Sequence, residues 1–219
     1  MKENYTHISM VLDRSGSMSS IREDTIGGFN VFLNEQKKVE GKATMTFAQF
    51  DNHFDFIYQM KDIQDCEELN SETYVPRGMT ALLDAIGRTI TDTGIELEKL
   101  SEKERPEQVI LVIITDGHEN CSQEYTKDKI NEMIKHQEDK YDWEVVYLGA
   151  NQDAIKEGGA MGFSLDKSMT FDCSSDGIQG AYLSVATNTT KYRNKVSKGM
   201  DFSTDDRIVQ EDLLKQGAA

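Results

Sequence analysis

The chain has 219 residues, 37% hydrophobic and 29% charged, which suits one globular domain on a scale of ~150 residues per domain. Its 24 Lys and Arg against 39 Asp and Glu leave a net charge of −15, a field that repels phosphate backbones and argues against nonspecific nucleic-acid binding. The longest strongly apolar run, Val109–Ile114, falls far short of the ~20 residues a membrane span needs, and Met1–Tyr5 shows no signal region. Three cysteines (Cys66, Cys121, Cys173) at unrelated spacings fit reduced thiols better than a disulfide framework or a zinc site, so the expected location is cytoplasmic.

In chain order, His7–Asp13 reads as a buried strand that ends in the polar loop Arg14-Ser15-Gly16-Ser17. From about Ser19 to Lys38, Ile26, Phe29, Phe32 and Leu33 recur at helical spacing. Ala43–Phe50 and Phe54–Met60 are β-rich runs around the turn Asp51-Asn52-His53, a hairpin. After Pro76 and Gly78 a helix is predicted from near Thr80, with Leu82, Leu83, Ile86 and Ile90 on one face and fraying near Gly94. Gln108–Thr115 has the near-continuous Val and Ile of a strand buried on both faces of a parallel sheet.

Beyond Asp116-Gly117 the pattern predicts a helix carrying Ile130, Met133, Ile134 and Gln137, then a strand over Trp143–Gly149. A short helix at Ala154–Gly159, a short strand at Ser168–Asp172 and a last helix over Gly177–Arg193 complete it. Residues 1–193 therefore read as one domain, and 194–219 as a tail, poorly ordered or packed on the domain surface. Lys191, Arg193, Lys195 and Lys198 form a basic run that reads as complementing a helix C-terminus. Strands alternating with helices imply an α/β architecture with a mostly parallel sheet.

Three segments stand out: Asp13-Arg14-Ser15-Gly16-Ser17, Gly78–Ala85 around Thr80, and Thr115-Asp116-Gly117. Each lies just past a strand or at a helix start, where open α/β sheets gather functional groups. Two carboxylates and three hydroxyls make an all-oxygen donor set suited to Mg²⁺, Mn²⁺ or Ca²⁺ and poorly suited to zinc. Taken singly, Asp13 and Thr80 read equally as helix caps and Asp116-Gly117 as an ordinary turn.

Together these motifs resemble the von Willebrand factor type A domain, whose metal-ion-dependent adhesion site (MIDAS) combines Asp-x-Ser-x-Ser with a distant Thr and a distant Asp. Asp13, Ser15, Ser17, Thr80 and Asp116 fill all five positions, and the likeness runs from about Tyr5 to Arg193. It is greatest to the stand-alone A-domain proteins of bacteria and their phages. The resemblance implies a Rossmann-like three-layer fold with one antiparallel edge strand and helices on both faces. It also implies a metal held by the serines directly and by Thr80 and the carboxylates directly or through water, with one position left for an Asp or Glu of a partner.

The function expected on that basis is a divalent-metal-dependent protein–protein interaction module, without direct contact to nucleic acid or membrane. Arg14, pointing outward, together with Met79, His118 and Glu119, would form the rim that meets the partner. The competing reading is a metal-dependent phosphohydrolase, or an accessory subunit of an ATPase, stress-response or phage–host complex. Phosphohydrolases of the relevant kind use Asp-x-Asp, one carboxylate attacking and the next serving as acid/base; Ser15 stands in that second place. No phosphate-binding glycine loop is present, and His118 beside a turn reads as a solvated residue, so no catalytic group is assigned.

Overall fold

The computed structural model describes residues 1–150 and 154–217. Six strands form one sheet: β1 (Lys2–Asp13), β2 (Lys42–Phe50), β3 (Phe54–Asp62), β4 (Pro106–Thr115), β5 (Glu144–Ala150) and β6 (Ser168–Phe171). Their order is β3-β2-β1-β4-β5-β6, parallel throughout except for β3, which returns antiparallel to β2 through the hairpin at Asp51–His53. The chain runs outward from β1 to β2 and β3, then crosses back to β4 on the other side. The crevice between the carboxyl ends of β1 and β4 is thus the topological switch point, where such sheets place ligands.

Side chains alternate across the sheet, so each central strand feeds two cores. Ile8, Met10, Leu12, Ile110, Val112 and Ile114 meet Phe29, Phe32 and Leu33 of α1 (Arg22–Lys38) and Ile178, Tyr182 and Val185 of α5 (Ser175–Arg193). On the other face Val11, Leu111 and Ile113 meet Leu82, Ile86 and Ile90 of α2 (Leu82–Glu98) and Ile130 and Ile134 of α3 (Lys127–Tyr141). The result is a three-layer, Rossmann-like α/β fold, with α4 (Ala154–Ala160) beside β5 and β6. Among the described residues no helix is long and apolar enough to cross a membrane.

Three expectations change. A 3₁₀ turn over Gly16–Ile21 precedes α1, so the loop after Asp13 enters the helix through a tighter spiral. Helix α2 does not fray at Gly94 but runs to Glu98, because Leu97 packs on the core and the Arg105 guanidinium donates to the carbonyls of Leu97 (3.0 Å) and Leu100 (3.1 Å). Nor is α5 the last helix: α6 (Thr204–Gly217) follows it.

Helix α6 carries little hydrophobic periodicity, since Ile208 and Val209 are exposed. Polar contacts hold it instead. Arg207 donates to the carbonyls of Ser168 and Leu165 (2.8 Å each), and Gln210 Nε2 donates to the Gly177 carbonyl (2.9 Å). Ahead of it, Met200 and Phe202 are buried in the α1–α5 core. Ala218 and Ala219, within the weak chain end read from sequence, lie outside the described residues. In the basic run, Arg193 is buried and donates to the Gln36 carbonyl (2.7 Å), so it caps the end of α1 rather than its own helix.

Candidate metal centre

The cleft floor is built where β1 and β4 end. Asp13 is wholly buried; its Oδ1 accepts from the Ser15 amide (2.6 Å) and its Oδ2 from Thr115 Oγ1 (2.5 Å). Ser17 Oγ donates to Asp116 Oδ1 (2.5 Å) and lies 3.0 Å from Ser15 Oγ. Gly117 shows where Thr80 sits: a Cβ there would lie 2.8 Å from Thr80 Oγ1 and 3.3 Å from Asp13 Oδ2. Residues from three distant segments thus converge on one point, and only glycine at 117 leaves room between them. Asp13, Ser15 and Thr80 form the buried floor, Asp116 is half-buried, and Ser17 opens to solvent.

Backbone contacts hold the loops in register. The Tyr74 hydroxyl donates to the Asp13 carbonyl (2.6 Å), the Arg77 amide to the Arg14 carbonyl (2.7 Å) and the Gly16 amide to the Gly78 carbonyl (3.1 Å). Thr80 and Asn120 pair reciprocally, the Thr80 amide donating to Asn120 Oδ1 (2.9 Å) and the Asn120 amide to the Thr80 carbonyl (3.1 Å). Thr80 is no helix cap. The first amides of α2 are taken by Glu119, which accepts from Leu83 (2.9 Å), and by Ser122 Oγ, which accepts from Asp84 (3.1 Å). The Thr80 hydroxyl is thereby left to the cleft.

Burial pushes the Asp13 carboxyl up to about 6, the Asp116 charge adding to it and the Thr115 and Ser15 hydrogen bonds opposing it. Burial also raises Asp116, against the hydrogen bond from Ser17. Among the described residues neither carboxylate has a Lys, Arg or His ion-pair partner. Two acids in one cleft with no countercharge, ringed by hydroxyl oxygens, fit a hard divalent cation. The described residues hold no group of three or more His, Cys, Asp or Glu arranged for a metal, so hydroxyl oxygens make up most of this donor set.

The rim differs from expectation at two positions. Arg14 does not point outward: it is 7% exposed, with Nε on Asp51 (3.1 Å) and Nη2 on Asp55 (2.5 Å). Glu119 is occupied structurally, its two oxygens accepting from Leu83, Cys121 and Ser122. Met79, at 55% exposure, and His118 do face solvent, and Arg77, two residues before Met79, is an exposed cation. Sequence reading treated Asp51 as a turn residue; its local pattern gives no sign of its buried ion pairs, because Arg77 and Arg14 lie 26 and 37 residues away.

Sheet order, layers and cleft define a three-layer α/β domain with its candidate site at the β1/β4 switch point. Neither a protein-family model nor a curated protein matches the chain. Among solved structures it is similar to the pilus adhesin SpaC from Lactobacillus rhamnosus GG, at 12% identity over 87% of this chain and 30% of that one, TM-score 0.61. It is also similar to proximal thread matrix protein 1 from the mussel byssus, described with a zinc-occupied MIDAS motif (17% identity, 85% of this chain, 46% of that one, TM-score 0.58). A von Willebrand factor type A protein from Catenulispora acidiphila follows at 12% identity, covering 85% and 43%, TM-score 0.55. The chain spans less than half the length of each of these proteins, and at such identities the likeness is one of fold: that of the von Willebrand factor type A domain.

Proposed function

We propose that this protein is a divalent-cation-dependent protein-interaction module in which Asp13, Ser15, Ser17, Thr80 and Asp116 hold Mg²⁺, with Mn²⁺ or Ca²⁺ as substitutes. The observation that carries the reading is the convergence of two uncompensated carboxylates, Asp13 and Asp116, with hydroxyl donors at the switch point. A bound cation would supply a Lewis-acidic position for a carboxylate oxygen of a partner protein. Met79 and His118 are the sequence-assigned rim residues that remain exposed to read the partner's shape.

The reading is non-enzymatic, with Ser15 where a phosphohydrolase would carry its second acid. It is cytoplasmic, in keeping with three cysteines at unrelated spacings, and of the stand-alone bacterial or phage type, without direct contact to nucleic acid or membrane. Calorimetry with Mg²⁺ and Mn²⁺ on the wild type, Asp13→Ala and Asp116→Ala is the test. Equal affinity in all three would overturn the assignment, and phosphatase or ATPase turnover that disappears in Asp13→Ala would overturn the non-enzymatic reading.

A further inference from the structure

We infer that Asp51, in the turn of the β2–β3 hairpin, is a positioning residue for the metal centre, setting the register between the loop of Asp13, Ser15 and Ser17 and the segment of Thr80. The inference rests on the metal-binding reading above and deepens it. The hairpin reads in sequence as edge decoration of the sheet, yet its turn lies across the gap between the two ligand-bearing segments.

The Asp51 side chain is wholly buried, and one oxygen, Oδ2, accepts from both Arg14 Nε (3.1 Å) and Arg77 Nε (2.8 Å). Arg14 sits between Asp13 and Ser15; Arg77 lies three residues before Thr80. The other oxygen accepts from the His53 amide (2.5 Å), which locks the carboxylate's rotation. The main chain repeats the link: the Asp51 carbonyl accepts from the Ala81 amide (3.0 Å), directly after Thr80, while the Phe50 carbonyl accepts from the Arg14 amide (2.7 Å).

A second observation places the hairpin turn hard against the Thr80 segment. Gly78 has φ +70°, and a Cβ there would collide with the Asn52 side chain. Burial alone would raise the Asp51 carboxyl, but the Arg77 and His53 hydrogen bonds and the Arg14 charge outweigh it and hold it low. Asp51 therefore stays ionised as a fixed anionic post between two guanidinium groups. Partners that hydrogen-bond metal ligands directly are worth about 10–100-fold in metal affinity; Asp51 acts one step further out, through Arg14 and Arg77, so a loss near the lower end of that range follows.

Mn²⁺ titration followed by electron paramagnetic resonance tests this on the full chain, using wild type, Asp13→Ala, Asp51→Asn, Arg77→Gln and the Asp51→Asn/Arg77→Gln pair. Asp51→Asn is expected to bind Mn²⁺ about 10-fold more weakly, with an altered bound-Mn²⁺ spectrum, at a temperature where circular dichroism shows it folded. Arg77→Gln removes an exposed positive charge, so simple electrostatics would tighten cation binding; positioning through Asp51 weakens it several-fold instead. The pair is expected to bind no more weakly than Asp51→Asn alone. Wild-type affinity in Asp51→Asn, tighter or unchanged binding in Arg77→Gln, or full additivity in the pair would each overturn the inference while leaving the metal centre standing. Should Asp51→Asn not fold, Arg77→Gln alone decides. Wild-type protein that binds no Mn²⁺, or binds it equally after Asp13→Ala, removes the metal reading and this inference with it.

Discussion

Asp13 and Asp51 are the same residue type at the carboxyl ends of neighbouring strands, and both are wholly buried, yet their surroundings are opposite. Asp51 is held by two guanidinium groups and stays below the usual carboxylate range. Asp13 has hydroxyl and amide donors only, shares its cleft with Asp116, and is pushed up to about 6. Burial is therefore not what separates a structural acid from a functional one. The missing countercharge is, and the cleft that lacks one is the cleft that opens to solvent through Ser17.

The contrast breaks most sharply if Asp13→Ala or Asp116→Ala retains Mg²⁺ binding; each is expected to lose it entirely by calorimetry. Stability of the metal-free protein should move in opposite directions at the two acids. Asp51→Asn leaves buried Arg14 paired with Asp55 alone and is expected to cost about 2 kcal/mol in urea unfolding. Asp13→Asn relieves an uncompensated carboxylate and is expected to gain on the order of 1 kcal/mol.

Metal should close that gap. At a hundred times its dissociation constant, a ligand bound only to the native state adds about 2.7 kcal/mol. For a chain of this size that is a rise of roughly 5–10 °C in Tm by calorimetric scanning. The rise should be absent in Asp13→Asn. A chelator should leave the circular dichroism of the folded domain intact, because the two cores flanking the sheet do not involve the cleft.

A pH effect sharpens the comparison with a third buried titratable group. His7 is wholly buried and hydrogen-bonded only to Thr44 Oγ1 (2.9 Å) and Ser9 Oγ (3.1 Å); burial lowers its pKa to about 3. Its folded pKa lies below the unfolded value near 6.5, so the unfolded chain takes up a proton first. Stability is fully present above about pH 6.5 and is lost as pH falls toward 3, by at most about 1.4 kcal/mol per pH unit. Unfolding of metal-free wild type and His7→Gln across that range should show the shallower slope in the variant. Parallel slopes would assign the acid sensitivity to other groups.

Much of this architecture was legible because hydrophobic periodicity is a local signal. The Val and Ile run of β4, the 3.6-residue spacing of Phe29, Phe32 and Leu33, and the hairpin around Asp51-Asn52-His53 each declare their element within a dozen residues. Helix α6 escaped that signal because its attachment is polar. A capping box was nonetheless present: the Ser203 hydroxyl accepts from the Asp206 amide (3.2 Å), and the Asp206 carboxylate accepts from the Ser203 amide (2.8 Å).

By itself the sequence determined the α/β class and the strands that lead into Asp13 and Asp116, since residue type and short-range spacing carry these; Asp13, Ser15, Ser17, Thr80 and Asp116 were grouped through a resemblance between motifs far apart in the chain. Only the tertiary structure decided that Arg14 turns inward, that Glu119 caps α2, and that the edge hairpin stands between the two ligand loops. The physical reason is the same for all three. A charged side chain takes its role from whichever opposite charge or unpaired amide folding brings within about 3 Å, and the contacts that decide these roles, Arg14 with Asp51 and Asp55, Glu119 with the Leu83 amide and Asp51 with Arg77, span 26 to 41 residues of chain.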